Sequence, residues 1–418
     1  MTGEVDVVVV GAGAAGLAAG RRLQQAGVSF RVLEARARSG GRAWTDTETF
    51  PGIPFDRGCH WLHSASINPL RAEADRLGLA YHRQFDWGER QVFHGAGWMA
   101  EDELVRYRKA FDDAFEALDR LGQSGRDVAA AEAISAKQPY LAEFRHLYSL
   151  ITSAELEEVS ELDASRYDET DENYPVEGGY GALIQRVAAG VPVELSTPVT
   201  AIDGSGRLLA VRTERGDLRA KAVIVTASTN VLAQGVIRFG SSLPADVVAA
   251  LEAVPIGCAE KVALRLDRPI DGVPANSFAT ITLGSDTPLN LYVSPFGLPI
   301  ILASLGGDFG RQLEAEGEAA MIAYAKERVI TAYGSDMAKR ISGATATHWV
   351  SDPFIRGGYS YARPGLADRR RRLAEPFSDR LFLAGEATST DTFSTAHGAH
   401  LTGLRAAERA LRSIGVVA

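Results

Sequence analysis

Apolar positions along the chain change their period from segment to segment, and each change marks a predicted element. Residues 7–10 are four consecutive valines, a short apolar run that suits a strand buried on both faces. A glycine-rich stretch and an alanine- and leucine-bearing run follow, and a second apolar run ends at Glu34, which predicts strand, turn, helix and strand. Over 101–123, Leu104, Phe111, Phe115, Leu118 and Leu121 recur at helical spacing among charges, so an amphipathic helix is expected. The same periodicity predicts a second helix over 141–159. Alternation over 191–213 around Gly204-Ser205-Gly206 predicts a hairpin, and 222–228 reads as a buried strand. Strand patterns then crowd together from 258 to 305, beginning at Lys261, Phe278, Leu289 and Ile300, before a helical stretch over 317–333. Near the end a buried strand at 381–384 leads into a helix starting near Thr395.

The first of these units carries chemistry. In V-V-V-V-G-A-G-A-A-G-L the spacing Gly11, Gly13, Gly16 falls between a strand and a helix beginning Ala14-Ala15. Gly11 permits a tight turn, Gly13 lets backbone approach a pyrophosphate at the helix N-terminus, and Gly16 lets the helix pack close to the sheet. Glu34 follows about twenty residues later, where a carboxylate accepts hydrogen bonds from a ribose diol. A dinucleotide is expected there. The segment Val176-Glu177-Gly178-Gly179-Tyr180 lacks a predicted preceding strand and is not read as a second such turn.

Composition narrows the function. With 418 residues, 46% of them hydrophobic, the chain can bury a large core and suits two domains. A net charge of −9 argues against a nucleic-acid surface and suits a cationic substrate. Two cysteines, Cys59 and Cys258, make neither a disulfide framework nor a metal-ligand spacing, so no metal is expected and a cytoplasmic location is the default. The apolar run 7–20 is too short and glycine-rich to span a membrane. The arginine run Arg369 to Arg372 reads as a solvated face, and no internal repeat is evident.

After Glu34-Ala35-Arg36, the stretch Ser39-Gly40-Gly41-Arg42-Ala43-Trp44 resembles the G-G-R signature of the flavin-containing amine oxidases. The closing run L-F-L-A-G-E-A-T-S, then F-S-T-A-H-G-A-H-L-T-G-L-R, resembles that family's terminal motif. Nearly the whole chain is covered, and the pattern is most similar to soluble polyamine oxidases. The resemblance implies an α/β fold: a discontinuous Rossmann-like FAD-binding domain, 1–80, 176–256 and 347–418, with a mixed α+β substrate domain, 81–175 and 257–346, whose sheet roofs the flavin. It places Gly41, Arg42 and Ala43 at the phosphates, and Gly58, Cys59, His60 and Trp61 along the flavin. It also places Val199 at the adenine, Ala227 near the dinucleotide, Trp349 beside the flavin, and Gly385 and Glu386 at the ribityl and pyrophosphate. Thr395 and Ala396 would offer helix N-terminal N–H groups to the pyrimidine, favouring its reduced, anionic form. Relatives that attach flavin covalently use a cysteine where this chain has Gly358, so the resemblance implies noncovalent FAD. It also implies that the membrane-anchoring tail of the mitochondrial monoamine oxidases is missing.

The same resemblance suggests the reacting groups. Periodicity alone reads Lys261 as an exposed strand lysine, whereas the family's matching lysine points through a water to flavin N5. His63 stands either at the substrate entrance or as a histidine satisfied by the fold. In W-V-S-D-P-F-I-R-G-G-Y-S-Y the first tyrosine, Tyr359, matches one that stands over the flavin, and the second member of the monoamine oxidases' cage is replaced by Thr395. No Gly-Pro-Met-Arg carboxylate clamp is present, which favours simple amines over amino acids. The implied reaction is hydride transfer from the carbon beside a neutral amine to flavin N5, with imine hydrolysis to an aldehyde or ketone and reoxidation by O2 to peroxide. Related FAD desaturases and porphyrinogen-type oxidases, and a flavin-binding sensor or electron carrier without turnover, are the alternatives. No motif ranks Asp86, Glu89 or Asp168 as a partner for a distal ammonium.

Overall fold

The computed structural model describes residues 3–83, 89–240 and 243–416; Asp86 lies outside them. One sheet is built from both ends of the chain and its middle. The valine run lies in the strand Gly3–Val10, which pairs in parallel with Phe30–Leu33 on one side and Gly216–Val225 on the other. The first half of Gly216–Val225 pairs antiparallel with Leu209–Thr213, and its second half pairs in parallel with Leu381–Leu383. Val7 to Val10 are buried, as a strand covered on both faces requires.

Two helices of that layer pack almost backbone to backbone. A Cβ on Gly403, in the helix Ala396–Ser413, would lie 2.1 Å from the carbonyl oxygen of Ala15, in the helix Ala14–Gln25. Only glycine permits that approach, and it draws the two ends of the chain to one place.

The second sheet runs, in spatial order, Ile341–Ala346, Ala259–Leu266, Ile300–Gly306, Leu289–Val293, Ser277–Thr282, Gln91–His94 and Gly97–Trp98. Val262 and Leu264 from this sheet pack with Met321, Ala325 and Val329 of the helix Glu318–Tyr333. A separate core around Tyr107, Leu118, Phe144 and Tyr148 joins the helices Glu101–Gln123 and Leu141–Thr152. No helix among the described residues is long and apolar enough to cross a membrane.

Three expectations change at this level. The hairpin is confined to Val199–Asp203 and Leu209–Thr213; Val193–Glu194 instead pairs in parallel with Phe30–Leu33. The helix expected to 159 stops at Thr152, where Ser153 takes a left-handed φ of 66°. The helix expected over 317–333 is found as Glu318–Tyr333, and a further helix, Gly307–Glu316, precedes it across Gly317 at φ 103°. A two-residue strand, Tyr174–Pro175, does precede Gly178-Gly179; it is paired with Trp61–Leu62.

The arginine run is the larger correction. Arg370 is not solvated: its side chain is 1% exposed and bonds Asp163 through Nε and Nη2, at 3.0 and 2.7 Å. The helix Arg369–Leu373 turns one arginine of the run inward while Arg369 and Arg371 face solvent. A count of charges cannot see that rotation.

Candidate active site

The glycine turn has the shape its spacing predicts. Gly11 has φ 97°, and a Cβ on Gly16 would fall 1.9 Å from the Gly11 carbonyl oxygen. Around Gly13 the space is open, with nothing nearer to an added Cβ than Gly40's carbonyl oxygen at 4.0 Å. Gly385, from the far end of the chain, likewise meets nothing within 4 Å. Open space above two glycine turns, beside the N-terminus of the helix Ala14–Gln25, fits a dinucleotide phosphate.

Glu34 is buried one residue past its strand. Its oxygens accept from Ala12 N–H at 2.7 Å and Arg36 N–H at 2.9 Å. The carboxylate therefore braces the turn, and each oxygen retains a lone pair for a hydroxyl. Ala35 follows it, and Arg36 pairs with Asp352 while its guanidinium lies over the Trp349 ring, 5.7 Å from the centroid.

Arg42 spends its charge within the protein, a departure from a bare phosphate ligand. It bonds Glu386 Oε1 at 2.9 Å and the Gly358 carbonyl. Glu386 is buried, and its other oxygen accepts from Ser360 Oγ at 2.6 Å and Ser394 N–H at 3.0 Å. Burial raises its pKa, but Arg42, Ser360 and Arg370 outweigh that and hold it below the usual carboxylate value. Arg370 donates to the same Ser360 hydroxyl at 2.8 Å, so the Asp163–Arg370 pair is the outer end of the network that fixes Glu386.

Gly41, with φ 59°, and Ala43 set the approach of this loop; Ala43 N–H donates to the Gly40 carbonyl at 2.9 Å. Thr395 caps the helix Ala396–Ser413, its hydroxyl accepting from Gly398 N–H at 3.0 Å. Val199 opens its strand, and Ala227 follows the strand Gly216–Val225 just before Ser228 caps Thr229–Ala233.

The segment 55–63 runs beside the second sheet, with Phe55 and Trp61 packed against Ala263, Phe278 and Tyr292. Gly58 is forced: a Cβ there would meet the Arg42 carbonyl oxygen at 1.7 Å. Cys59 follows, its thiol pushed up to about 12 chiefly by burial. Lys261 comes from the second sheet to meet this segment. Its Nζ donates to the Gly58 carbonyl at 2.5 Å and the Asp56 carbonyl at 3.3 Å, and lies 2.5 Å from His60 Nδ1. Burial lowers the lysine to about 8, opposed by Asp56 and Cys59. Thus it is half-buried and partnered, and the exposed-strand reading fails.

Trp61 packs against His60, Phe278 and Tyr292, with Phe278 and Tyr292 stacked at 4.7 Å. His63 Nδ1 is 2.6 Å from Asn173 Oδ1, and burial lowers the pKa of the ring. An amide oxygen only accepts, so Nδ1 carries the proton and Nε2 keeps its lone pair. The hydroxyl of Tyr359 donates to the Leu150 carbonyl, and burial raises its pKa. A cavity of about 220 Å³ opens beside His60, Phe55, Tyr292, Phe296 and Glu177.

Several residues that hold this site carried no motif. Glu260 accepts from Trp349 N–H at 2.8 Å and Thr347 Oγ, and Trp349 Nε1 donates to the Arg57 carbonyl at 3.4 Å. Glu260 precedes Lys261, so strand alternation sends one inward on each face; an acid and a lysine adjacent in an apolar strand was the available signal. Asn173, Asp163 and Arg370 gave none.

Residues 14–411 match the profile of flavin-containing amine oxidoreductases. The chain belongs to that family. This flavin-containing amine oxidoreductase is 29% identical to probable polyamine oxidase 4 of Arabidopsis thaliana, over 98% of its own length and 87% of that protein. It is 27% identical to polyamine oxidase 4 of Oryza sativa subsp. japonica, with 98% and 89% covered. Lysine-specific histone demethylase 2 of Homo sapiens matches at 25% identity, but the amine oxidoreductase spans only 53% of that longer protein. A solved double mutant of putrescine oxidase, redesigned in its cofactor binding, shares the fold with a TM-score of 0.80 at 19% identity, covering 99% and 100% of the two chains. The mixed α/β architecture and the flavin expected from the terminal motifs are thereby borne out.

Proposed function

We propose that this flavoenzyme oxidises a primary or secondary aliphatic amine of the polyamine kind, using noncovalent FAD and returning the electrons to O2. Bound FAD supplies the hydride acceptor, and imine hydrolysis follows. The single observation that carries this reading is the position of Lys261, a cation drawn from the second sheet onto the backbone of Gly58, beside an aromatic cluster of Trp61, Phe278 and Tyr292.

In this reading the protein supplies alignment, dryness and charge. His63, neutral and with its Nε2 lone pair free of Asn173, accepts an N–H from the amine and orients it. Tyr359, its hydroxyl tied to the Leu150 carbonyl, offers its ring face to the amine. Lys261 stabilises negative charge that develops during reoxidation. Glycine at 358 supports noncovalent attachment, since no thiol is available there. The two-domain division, 1–80 with 176–256 and 347–418 against 81–175 with 257–346, is supported by two sheets that share no strand.

Polyamine preference is supported by the missing carboxylate clamp and by the polyamine oxidases among the relatives. Tyr359→Ala should cut the rate of amine-driven flavin reduction by about tenfold while leaving FAD bound, the scale of one lost aromatic contact to an amine. Equal reduction rates in the two proteins would remove Tyr359 from the site.

A further inference from the structure

The cavity of about 220 Å³ is walled on one side by Tyr292 and Phe296 and on another by the turn from Val176 to Gly179. Its volume is below that of a site for a drug-sized ligand, so it suits a slender, unbranched molecule. Half-buried His60, which also touches Lys261, lines it, and so does the exposed Glu177. The cavity thus adjoins the lysine cluster and carries an acid of its own. The Glu177 carboxylate has no hydrogen bond or ion pair among the described residues. Glu89 and Asp168, which the sequence could not rank, are not among the walls.

One wall is built on a strained backbone. Asn276, Ser294 and Phe296 all take left-handed φ, at 60°, 48° and 53°. Asparagine tolerates that region, but a phenylalanine there is an outlier that its surroundings must hold in place. Asn276 does the holding. Its Oδ1 accepts from the Tyr292 hydroxyl at 2.7 Å and from Phe296 N–H at 2.8 Å, while its own N–H donates to the Ser294 carbonyl at 3.0 Å. The Tyr292 ring, so tethered, stacks on Phe278 at 4.7 Å and lies nearly parallel to His60 at 5.9 Å. Strain fixed by three hydrogen bonds at the edge of a cavity marks a wall whose shape is used.

From the two walls together we propose that the cavity is the subsite for the far end of the substrate amine. Glu177 receives a second, protonated nitrogen, and Tyr292 and Phe296 flank the methylene chain between that nitrogen and the reacting one. The inference rests on the amine-oxidising reading and deepens it: the preferred substrate is a linear diamine or polyamine whose distal nitrogen keeps its charge. A carboxylate at an exposed rim accepts an ammonium without deep desolvation of either, whereas the apolar walls behind it suit methylenes and disfavour charge. Asp56 does not compete for the ammonium, since its oxygens are taken by Thr45 Oγ, Tyr180 N–H and Gly181 N–H.

The test compares two amines of equal chain length on the FAD-loaded protein, pentane-1,5-diamine and pentylamine, by stopped-flow reduction of the flavin without O2 over a range of concentrations. In the wild type the diamine should reach half-saturation at a concentration about tenfold lower, the scale of one charge-assisted hydrogen bond. Glu177→Gln keeps the shape and removes the charge, so it should weaken the diamine about tenfold and pentylamine by less than about twofold. Phe296→Gly suits the left-handed backbone but takes away the wall, and should weaken both amines alike, by about fivefold. A wild type that binds the two amines equally, a diamine advantage that survives Glu177→Gln, or a Phe296→Gly variant that binds both as the wild type does would overturn the subsite, while reduction of the flavin in the same traces upholds the functional reading. No reduction by either amine in any of the three proteins would instead strike the functional reading, and the subsite with it.

Discussion

The proposed dinucleotide cradle and the proposed amine side of the site are built on opposite principles. In the proposed cradle the two carboxylates are satisfied within the protein: Glu34 by Ala12 and Arg36 N–H, Glu386 by Arg42, Ser360 and Ser394. On the proposed amine side His63 is bonded to Asn173 at Nδ1 and keeps the lone pair of its Nε2. A rigid, closed network suits a cofactor that stays bound, whereas spare donors and acceptors suit ligands that exchange.

The comparison predicts that damage to the cradle empties the protein of flavin, while damage across the cavity leaves flavin bound and changes rates. The largest effect is expected at Arg370. Asp163→Ala leaves a guanidinium buried without its partner, which should cost about 3–5 kcal/mol of stability and release FAD. Asp163→Leu with Arg370→Met should recover most of the loss. Denaturant unfolding with the retained flavin measured in parallel checks both; a single variant as stable and as yellow as wild type would break the cradle account.

Lys261→Met should slow reoxidation by O2 roughly 10²-fold, the scale of one lost electrostatic donor, with FAD still bound. In the wild type the reoxidation rate should decline as pH rises through about 8, where the buried lysine loses its proton. Stopped-flow oxidation of the reduced protein across pH reads both, and an unchanged rate in the variant removes Lys261 from that step.

Glu260 sharpens the contrast through pH. Burial first, then Glu314, pushes its carboxyl well above the usual value. The folded protein therefore holds a proton that the unfolded chain releases above its ordinary pKa of about 4.3. Stability from this group is full below that pH and is lost as pH rises through the folded value. Glu260→Gln should flatten that decline above pH about 4.3 with little change below it. An unaltered slope would mean that Glu260 is ionised in the folded state. Smallest is Thr395→Ala, which removes a helix cap and should cost about 1 kcal/mol in thermal unfolding.

These two regions also differ in how far the sequence discloses them. The cradle is legible because its requirements are local: Gly11, Gly13 and Gly16 follow from one turn, and Thr395 from one helix start. The amine side depends on partners far away in the chain. Lys261 meets Gly58 and His60 some two hundred positions earlier, and Asn173 meets His63 across a separation of 110. Periodicity ranks faces, not such meetings, which is why it reads Lys261 as exposed and Arg370 as solvated. The stop at Ser153 was missed for a different reason, since a left-handed residue interrupts a helix without changing its apolar spacing.

Anaerobic mixing of the FAD-loaded protein with putrescine, spermidine, benzylamine and an amino acid tests the central claim most directly. The account predicts loss of the flavin's visible absorbance with an aliphatic di- or polyamine, little with the amino acid, and recovery with peroxide release when O2 is admitted. A flavin that stays oxidised with every amine would contradict it.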